Sequence, residues 1–452
     1  MPVLLLSLVV TILAAYLLSM RRAAQQELDK ALAELDEEEP GWRFYDIEAG
    51  REAIPDDKNS ALCVLAARKM LPAGWPDRDF ICAFDDSMKD LEPNRQLDEQ
   101  QYALLLDELH EHQAALDNAA HLAALPRGRY SIVYDENVHR TLLRHLQPVR
   151  EIADLLRYDA MIRAQDGDFA GALRSCQAIA NAGRSIGDEP LTISQLVRFA
   201  CIAIALRETE RVLGQGEAPE TELEDLHRIL EDERKHPYLL ICARGERGEM
   251  NESFQAIEMG RITVEELGGN ARSKHLEDRL SRPLVNYVIL RDHPLVLTLM
   301  SDLVAIARRP VEDRELALKQ WQSSVQSSTL SGPARLIIPA SAKWDDAERR
   351  TQAQLRCMIV ILAMERYRLK HNGRCPERLE DLTPAFLDEL PVDPYDGKPL
   401  RFRQLADFRV IYSIGPDHED NDGKIDLKHL TEPGTDIGFR LWNPDKRRQP
   451  AK

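Results

Sequence analysis

The first stretch of the chain is uncharged and apolar. Residues 2–20 contain no charged side chain, and Arg21 and Arg22 follow directly. A run of this length is about what an α-helix needs to cross the hydrocarbon core of a bilayer. The pattern therefore predicts a single-pass transmembrane anchor over residues 1–22. A cleaved signal peptide is the alternative, but no basic residue precedes the run and no clear small-residue cleavage pattern follows it.

Downstream of the apolar run, leucines recur at helical spacing among acidic residues. Leu28, Leu32 and Leu35 lie three or four positions apart. This spacing predicts that the membrane helix continues as an acidic helical stalk over residues 23–40, at the end of which a proline stops it. Residues 41–136 carry shorter helical patterns between loops and predict a mixed helical and irregular region.

Residues 137–326 have a strong helical pattern in which short turns separate apolar stripes. Such stripes need neighbouring helices to bury them, so an α-helical hairpin domain is predicted over this range. Its best-matching part resembles the second half of a tetratricopeptide (TPR) hairpin, although no second clean copy occurs at the repeat period. The positions that carry this resemblance are Phe169, Ala178, Ala182 and Pro190.

Ser, Gly and Pro concentrate in residues 327–343, which predicts a linker. Residues 344–452 then begin with a helical pattern. Alternating apolar and basic residues over 401–412 predict a two-stranded antiparallel ribbon, and residues 439–442 predict a strand that closes it. The whole pattern predicts a mostly α fold, with an N-terminal transmembrane helix, a TPR-like α-helical hairpin middle and a small α+β C-terminal domain.

The total charge excludes one class of partner. The chain has 452 residues, 76 Asp and Glu against 59 Lys and Arg, and a net charge of −17. A nucleic-acid-binding protein would carry a basic face, so no nucleic-acid partner is predicted. The seven cysteines are an odd number without a Cys-x-x-Cys pair, which indicates neither a disulfide framework nor a cysteine metal site.

Three motifs in the last quarter of the chain occur in a distinctive order. A helix ends at Asn-Gly-Arg-Cys-Pro (372–376), a Leu-Pro-Val-Asp-Pro-Tyr-Asp-Gly turn follows at 390–397, and Ser-Ile-Gly-Pro-Asp begins an acidic stretch at 413–417. This order resembles the globular domain of the type II secretion major pseudopilins (G type) over about residues 347–438. The resemblance implies a pseudopilin-like α+β fold, a calcium site and an extracytoplasmic location.

The calcium site implied by the resemblance would use Ser413, Asp417, Asp420 and Asp422. Calcium prefers several carboxylate and carbonyl oxygens on a bent loop, and these residues lie close together in sequence. The alternative is a solvated acidic turn that hydrogen bonds to its own backbone hold in place.

One string matches a catalytic motif. Gly183-Arg184-Ser185-Ile186-Gly187 fits Gly-x-Ser-x-Gly, which in hydrolases places a serine on a sharp strand-to-helix turn. Here the string follows residues with helical spacing, so the end of a helix explains it better. We therefore expect no catalytic residue and no enzyme; a membrane-tethered serine hydrolase using Ser185 is the alternative.

These features together predict a membrane-anchored, non-enzymatic envelope scaffold or secretion-related protein. Its expected partners are membrane lipid, through the N-terminal helix, and another protein, on the helical domain; no small-molecule substrate is identified. The resemblance implies that the soluble part is periplasmic or otherwise extracytoplasmic. Arg21 and Arg22 disagree, because the positive-inside rule would place the residues after them in the cytoplasm.

Overall fold

The computed structural model describes residues 2–77, 80, 84, 87–88, 91–135, 137–267, 276–338, 341–426, 429 and 432–451. Within its helices, only the backbone is described for residues 2–7, 9–10, 13–14, 265, 267, 276–283, 333, 336–337 and 341–342.

The described chain is mostly helical, with a small antiparallel sheet near its C-terminal end. The first helices are α1 Pro2–Glu38, α2 Phe44–Ala49, α3 Ser60–Lys69, α4 Glu99–Glu111 and α5 Gln113–Ala120. The next are α6 Leu146–Asp166, α7 Phe169–Arg184, α8 Thr192–Gln215, α9 Glu220–Arg234, α10 Tyr238–Glu258 and α11 Val264–Leu267. The last are α12 Leu276–Ala307, α13 Glu315–Ser327, α14 Gly332–Ile337 and α15 Ser341–Lys370. The strands are β1 Arg401–Gln404, β2 Phe408–Ser413 and β3 Ile437–Trp442.

Helix α1 has two differently packed parts. In its second part, Ala24, Leu28 and Leu35 are buried in a cluster with Leu290 and Leu297 of α12. The predicted stalk is therefore helical, and one side of it packs against the body of the protein. Among the described helices, none combines the length and the apolar character needed to cross a membrane. For much of the predicted anchor only the backbone is described, since nothing is described of the side chains of residues 2–7, 9–10 and 13–14.

Ion pairs and a buried tryptophan attach the end of α1 to the body of the protein. The Glu39 carboxylate lies 2.7 Å from Arg244 and 3.0 Å from both Arg247 and Arg308. Trp42 is fully buried, and its Nε1 donates to Asp36 at 2.9 Å. These contacts hold the second part of α1 in one position relative to α10 and α12.

Short turns connect the helices of the middle region. Helix α6 ends at Gly167, whose φ of 85° is the left-handed conformation common after a helix. Asp168 then caps α7 by accepting a hydrogen bond from the Gly171 amide at 2.8 Å. The prediction that short turns separate helices in this block is confirmed here, because the turn residues perform the expected local roles.

The sheet confirms the predicted ribbon and its closing strand. Strand β2 pairs antiparallel with β1 on one side and with β3 on the other, giving the order β1-β2-β3. Phe439 and Leu441 of β3 are buried together with Ile411 of β2. Their apolar face belongs to the same core cluster as the central turns of α15.

The hydrophobic core is continuous across the predicted linker. A single buried cluster contains residues of α6 to α9, the middle of α15, and β2 and β3. Within residues 327–343, Leu330 and Ala334 are buried against Trp321, and the Ser331 amide donates to Asp292 at 2.7 Å. Apolar residues in this Ser- and Pro-containing stretch thus attach it to the helices rather than leaving it as an exposed tether.

A buried carboxylate joins α15 to the residues after the sheet. Glu365 is fully buried and accepts hydrogen bonds from Arg368 at 2.9 Å and from Arg447 at 2.8 and 3.0 Å. Burial by itself would raise the pKa of Glu365, but the bonds from the two arginines outweigh it and lower the pKa to about 2. Glu365 is therefore a charged centre inside the core.

Candidate functional site

The acidic loop, defined here as residues 414–436, connects β2 to β3. Gly415 and Gly423 have φ values of 72° and 76°, and His418 and Asp422 also have positive φ, at 59° and 61°. Left-handed residues bend the backbone sharply, so these positions let the loop turn between the two strands. The predicted calcium residues all lie in this loop or at its start.

Ser413 is engaged away from the other predicted ligands. It is fully buried, and its Oγ donates to Asp393 Oδ1 at 2.7 Å. Asp393, which is also fully buried, accepts from the Ile414 amide at 2.9 Å and from Arg401 at 2.6 Å. Ser413 therefore helps to hold Asp393, which ties the 390–397 turn to the end of β2.

Asp417 and Asp420 accept hydrogen bonds from within the loop and from the sheet. Asp417 Oδ2 accepts from the Gly434 amide at 2.8 Å, and its Oδ1 accepts from the Glu419 amide at 3.1 Å. Asp420 Oδ1 accepts from the Tyr412 hydroxyl and the Asp422 amide, both at 3.0 Å. The bonds from the Glu419 and Asp422 amides are the Asx-type bonds of the solvated-turn alternative, and the other two attach the loop to Gly434 and to β2.

Asp422 lies elsewhere. Its carboxylate is mostly exposed and forms an ion pair with Arg403 of β1 at 3.0 Å. The structure therefore does not bring the four predicted ligands together, because Ser413 and Asp422 each bond to another partner. Within the described ranges, no group of three or more His, Cys, Asp or Glu side chains is arranged to hold a metal ion.

Asp436, at the end of the acidic loop, is a residue that the sequence reasoning missed. It is fully buried and accepts from the Asn421 amide at 3.3 Å and the Gly423 amide at 2.8 Å. Burial raises the pKa of Asp436, the two amide bonds lower it, and the nearby charges of Asp420 and Asp417 raise it, leaving it above the usual range. The feature of the sequence that could have indicated Asp436 is its position just before the predicted closing strand.

Ser185 does not have the geometry of a hydrolase nucleophile. It follows α7 directly, where a nucleophile elbow requires a strand. The side chain is fully buried; its Oγ donates to the Ala182 carbonyl at 2.6 Å and lies 2.8 Å from the Tyr130 hydroxyl. The string thus marks the end of a helix, and the context that would favour the hydrolase alternative is missing at this serine.

A cavity of about 1150 Å³ lies on the other side of Tyr130. We name it the Tyr130 cavity. Its lining comes from α3, from residues 129–135 and from residues 139–145. Two histidines face it, and each bonds to a buried glutamate. His139 Nδ1 lies 2.8 Å from Glu249, and His145 Nε2 lies 3.0 Å from Glu189.

The carboxylates behind His139 favour its charged form. Burial lowers the pKa of His139, but the hydrogen bond that it donates to Glu249 and the charges of Glu249 and Glu246 outweigh it and raise the pKa. Burial and the charge of Glu249 also raise the pKa of Glu246 to about 7. The sequence reasoning missed this place, although the basic residues clustered between 139 and 150 of an acidic chain were a visible signal.

Comparisons of the chain with models of protein families, with curated proteins and with solved structures found no match. The function therefore has to be inferred from the chain's own residues and contacts.

Proposed function

We propose that this protein is a membrane-anchored, non-enzymatic scaffold of the cell envelope with a secretion-related role. In this proposal the helical middle is TPR-like and holds a protein partner, and the C-terminal unit is pseudopilin-like. The main observation in its support is that the first part of α1 exposes large apolar side chains, whereas the second part packs against the body of the protein.

The exposed part of α1 is apolar. Five large apolar side chains of this helix, namely Leu8, Ile12, Tyr16, Leu17 and Leu18, are 51–60% exposed. Soluble surfaces rarely carry so many neighbouring apolar side chains, and such a group usually marks a surface that another molecule or a membrane covers. Residues 2–20 are long enough to match a bilayer, so lipid is the cover that we propose.

The anchor can be tested by membrane partition of the full chain. Leu8→Lys with Ile12→Lys places two charges in the proposed span, so we expect the protein to move from the alkaline-carbonate-resistant membrane fraction to the supernatant. The matched control is Leu284→Lys with Leu316→Lys, which changes two equally exposed leucines outside α1. If the α1 variant stays in the membrane fraction, or if the control variant is released to the same extent, the proposal that α1 is a membrane anchor is wrong.

We also propose that the soluble part lies outside the cytoplasm, as expected for a pseudopilin-like unit. Protease added to spheroplasts would then degrade the C-terminal unit of the full chain without detergent. Protection that ends only when detergent is added would place the unit in the cytoplasm, as Arg21 and Arg22 predict by charge.

Calcium is the cofactor that we propose for the acidic loop. The described carboxylates of the loop do not converge on one point, so the ion would have to draw Asp417 and Asp420 towards the buried Asp436. The support is electrostatic: Asp436 is buried near two other acids, and the charges of those acids raise its pKa. A divalent cation would neutralise this concentration of negative charge.

The test is thermal unfolding of the full chain in EGTA and in millimolar calcium. A ligand that binds only the folded state adds about 2.7 kcal/mol when its concentration is 100 times the Kd. We expect calcium to raise the Tm of the wild type and to raise it less in Asp417→Ala and Asp420→Asn. Glu419→Gln is the control, since Glu419 is exposed in the same loop. Equal Tm values in EGTA and calcium would reduce the loop to a solvated turn.

A further inference from the structure

We propose that the Tyr130 cavity binds a small organic anion with an apolar body, of the class of alkyl phosphates and alkyl carboxylates. This ligand site is separate from the membrane anchor and from the acidic loop.

The charge of the lining points to an anion. The chain as a whole has a net charge of −17, yet the described lining carries five basic side chains and one acidic one. The basic residues are Arg129, His139, Arg140, Arg144 and His145, and the acidic one is Asp135. A cavity lined by one sign of charge concentrates ligands of the opposite sign.

Two of the arginines have guanidinium groups available for a ligand. Arg129 is already used, since it donates to the Arg51 and Glu48 carbonyls at 2.6 and 3.0 Å. Arg140 and Arg144 are exposed, and neither guanidinium group makes a hydrogen bond or ion pair with the residues that the structure describes. Guanidinium groups bind carboxylate and phosphate through paired hydrogen bonds, so these two are the proposed head-group ligands.

His145 gives the cavity a fixed polar wall. Only 8% of its surface is exposed, and it lines the cavity. Its ring stacks on Tyr130 with 4.3 Å between ring centres, while Glu189 holds its Nε2. One ring nitrogen and the ring plane are thus held by protein groups, which leaves Nδ1 as the atom that a ligand can reach.

The lining also contains apolar side chains that are unusually exposed. Val133 and Leu142 are 89% and 71% exposed, and Leu62 of α3 is also exposed. Exposed apolar side chains beside free guanidinium groups suit a ligand that has both a charged head and an alkyl body. The volume of about 1150 Å³ is slightly larger than that of most small-molecule sites, which span about 300–1000 Å³.

The binding test uses the full chain in lipid nanodiscs and three soluble probes: hexyl phosphate, inorganic phosphate and hexanol. We expect hexyl phosphate to bind more tightly than inorganic phosphate, and hexanol to show no saturable binding. The double variant Arg140→Gln with Arg144→Gln should weaken hexyl phosphate binding about tenfold or more, the size of losing charge-assisted hydrogen bonds. Both residues are exposed, so an unchanged Tm would show that folding is intact.

The matched control removes two exposed arginines elsewhere, Arg228→Gln with Arg374→Gln, and should leave binding unchanged. Equal binding by the Arg140/Arg144 variant and the wild type would overturn the proposal, as would saturable binding of hexanol. A second variant, Val133→Ser with Leu142→Ser, should reduce hexyl phosphate binding to the level of inorganic phosphate. If it does not, the apolar body is not recognised and the proposal is wrong in that part.

The source of the anion can be separated with the same variants. Nanodiscs of phosphatidylcholine and of phosphatidylglycerol differ only in the charge of the head group. Equal hexyl phosphate affinity in both discs would assign the site to a soluble anion. Competition only in phosphatidylglycerol discs, lost in the Arg140/Arg144 variant, would assign the same head-group chemistry to a membrane lipid.

Discussion

Two buried carboxylates in the C-terminal part of the protein have neighbours of opposite charge, and their pKa values shift in opposite directions. Glu365 and Asp436 are both fully buried. Arginine side chains surround Glu365 and hold its pKa at about 2. Asp436 has two backbone amides as partners and other acids nearby, and its pKa lies above the usual range. Burial alone therefore does not decide the charge of a carboxylate; the sign of its neighbours does.

The difference separates a structural site from a candidate binding site. Around Glu365, the negative charge is already balanced by groups of the protein itself. Around Asp436, the described neighbours supply hydrogen bonds but leave the negative charge uncompensated. Only the second arrangement gains from an added cation, which is why calcium is proposed for the acidic loop.

The largest expected effect is at Glu365. Glu365→Gln leaves Arg368 and Arg447 without their buried counter-charge, and breaking such a pair costs about 3–5 kcal/mol. Denaturant unfolding of the full chain would measure this loss. The control is Glu217→Gln, which removes a 57% exposed partner of Arg368 and should cost less than about 1 kcal/mol. Similar losses in both variants would show that Glu365 is not the special member of the cluster.

The second prediction concerns the loss of folding stability at low pH. The folded pKa of Glu365 is lowered from 4.5 to about 2, so its contribution is present above pH 4.5 and is lost as the pH falls towards 2. A shift of this size corresponds to about 3 kcal/mol. Stability measured across this pH range should therefore fall more steeply in the wild type than in Glu365→Gln. Parallel curves would contradict the assignment.

The smallest effect is expected in the acidic loop and has the opposite sign. Asp420→Asn can keep the bonds from Tyr412 and the Asp422 amide, because both reach Oδ1, while it removes a charge near Asp436. In EGTA it should stabilise the protein by about 0.5 kcal/mol, the size of a partly exposed charge interaction.

The pH dependence at Asp436 sharpens the same comparison. Its folded pKa is raised, so its contribution to stability is present below the unfolded value of 3.8 and is lost as the pH rises through the folded value. Asp420→Asn should make this loss smaller. If the stability of the wild type and of Asp420→Asn in EGTA changes with pH in the same way, the two carboxylates do not interact.

Local features of the fold could be predicted from the sequence. The short turns between the helices of 137–326, such as the one at Gly167, and the strand pairing of 401–412 depend on residues close together in the chain, and both are confirmed. The continuous core across 327–343 was not predicted, because a composition with many Ser and Pro residues does not reveal that Leu330 is buried.

The site residues were harder to predict because their partners are distant in sequence. Glu365 meets Arg447, which lies 82 residues further on, and His145 meets Glu189, 44 residues further on. Spacing rules describe one helix, strand or loop, so they cannot pair residues that only the tertiary fold brings together. The acidic loop was located from the sequence, but the burial of Asp436 and the bond from Ser413 to Asp393, 20 residues away, were not predicted.

The distance between Glu365 and Arg447 also has a consequence for synthesis on the ribosome. At about 5–20 residues per second, the 82 intervening residues take roughly 4–16 s to translate. During that interval Glu365 has Arg368 beside it, but the apolar face of α15 that contacts β2 and β3 has no strands to cover it. Helices α6 to α9 can assemble in this time, whereas α15 cannot reach its final packing. The chain therefore exposes the apolar central turns of α15 for seconds before folding is complete, which is when a chaperone would be expected to bind them.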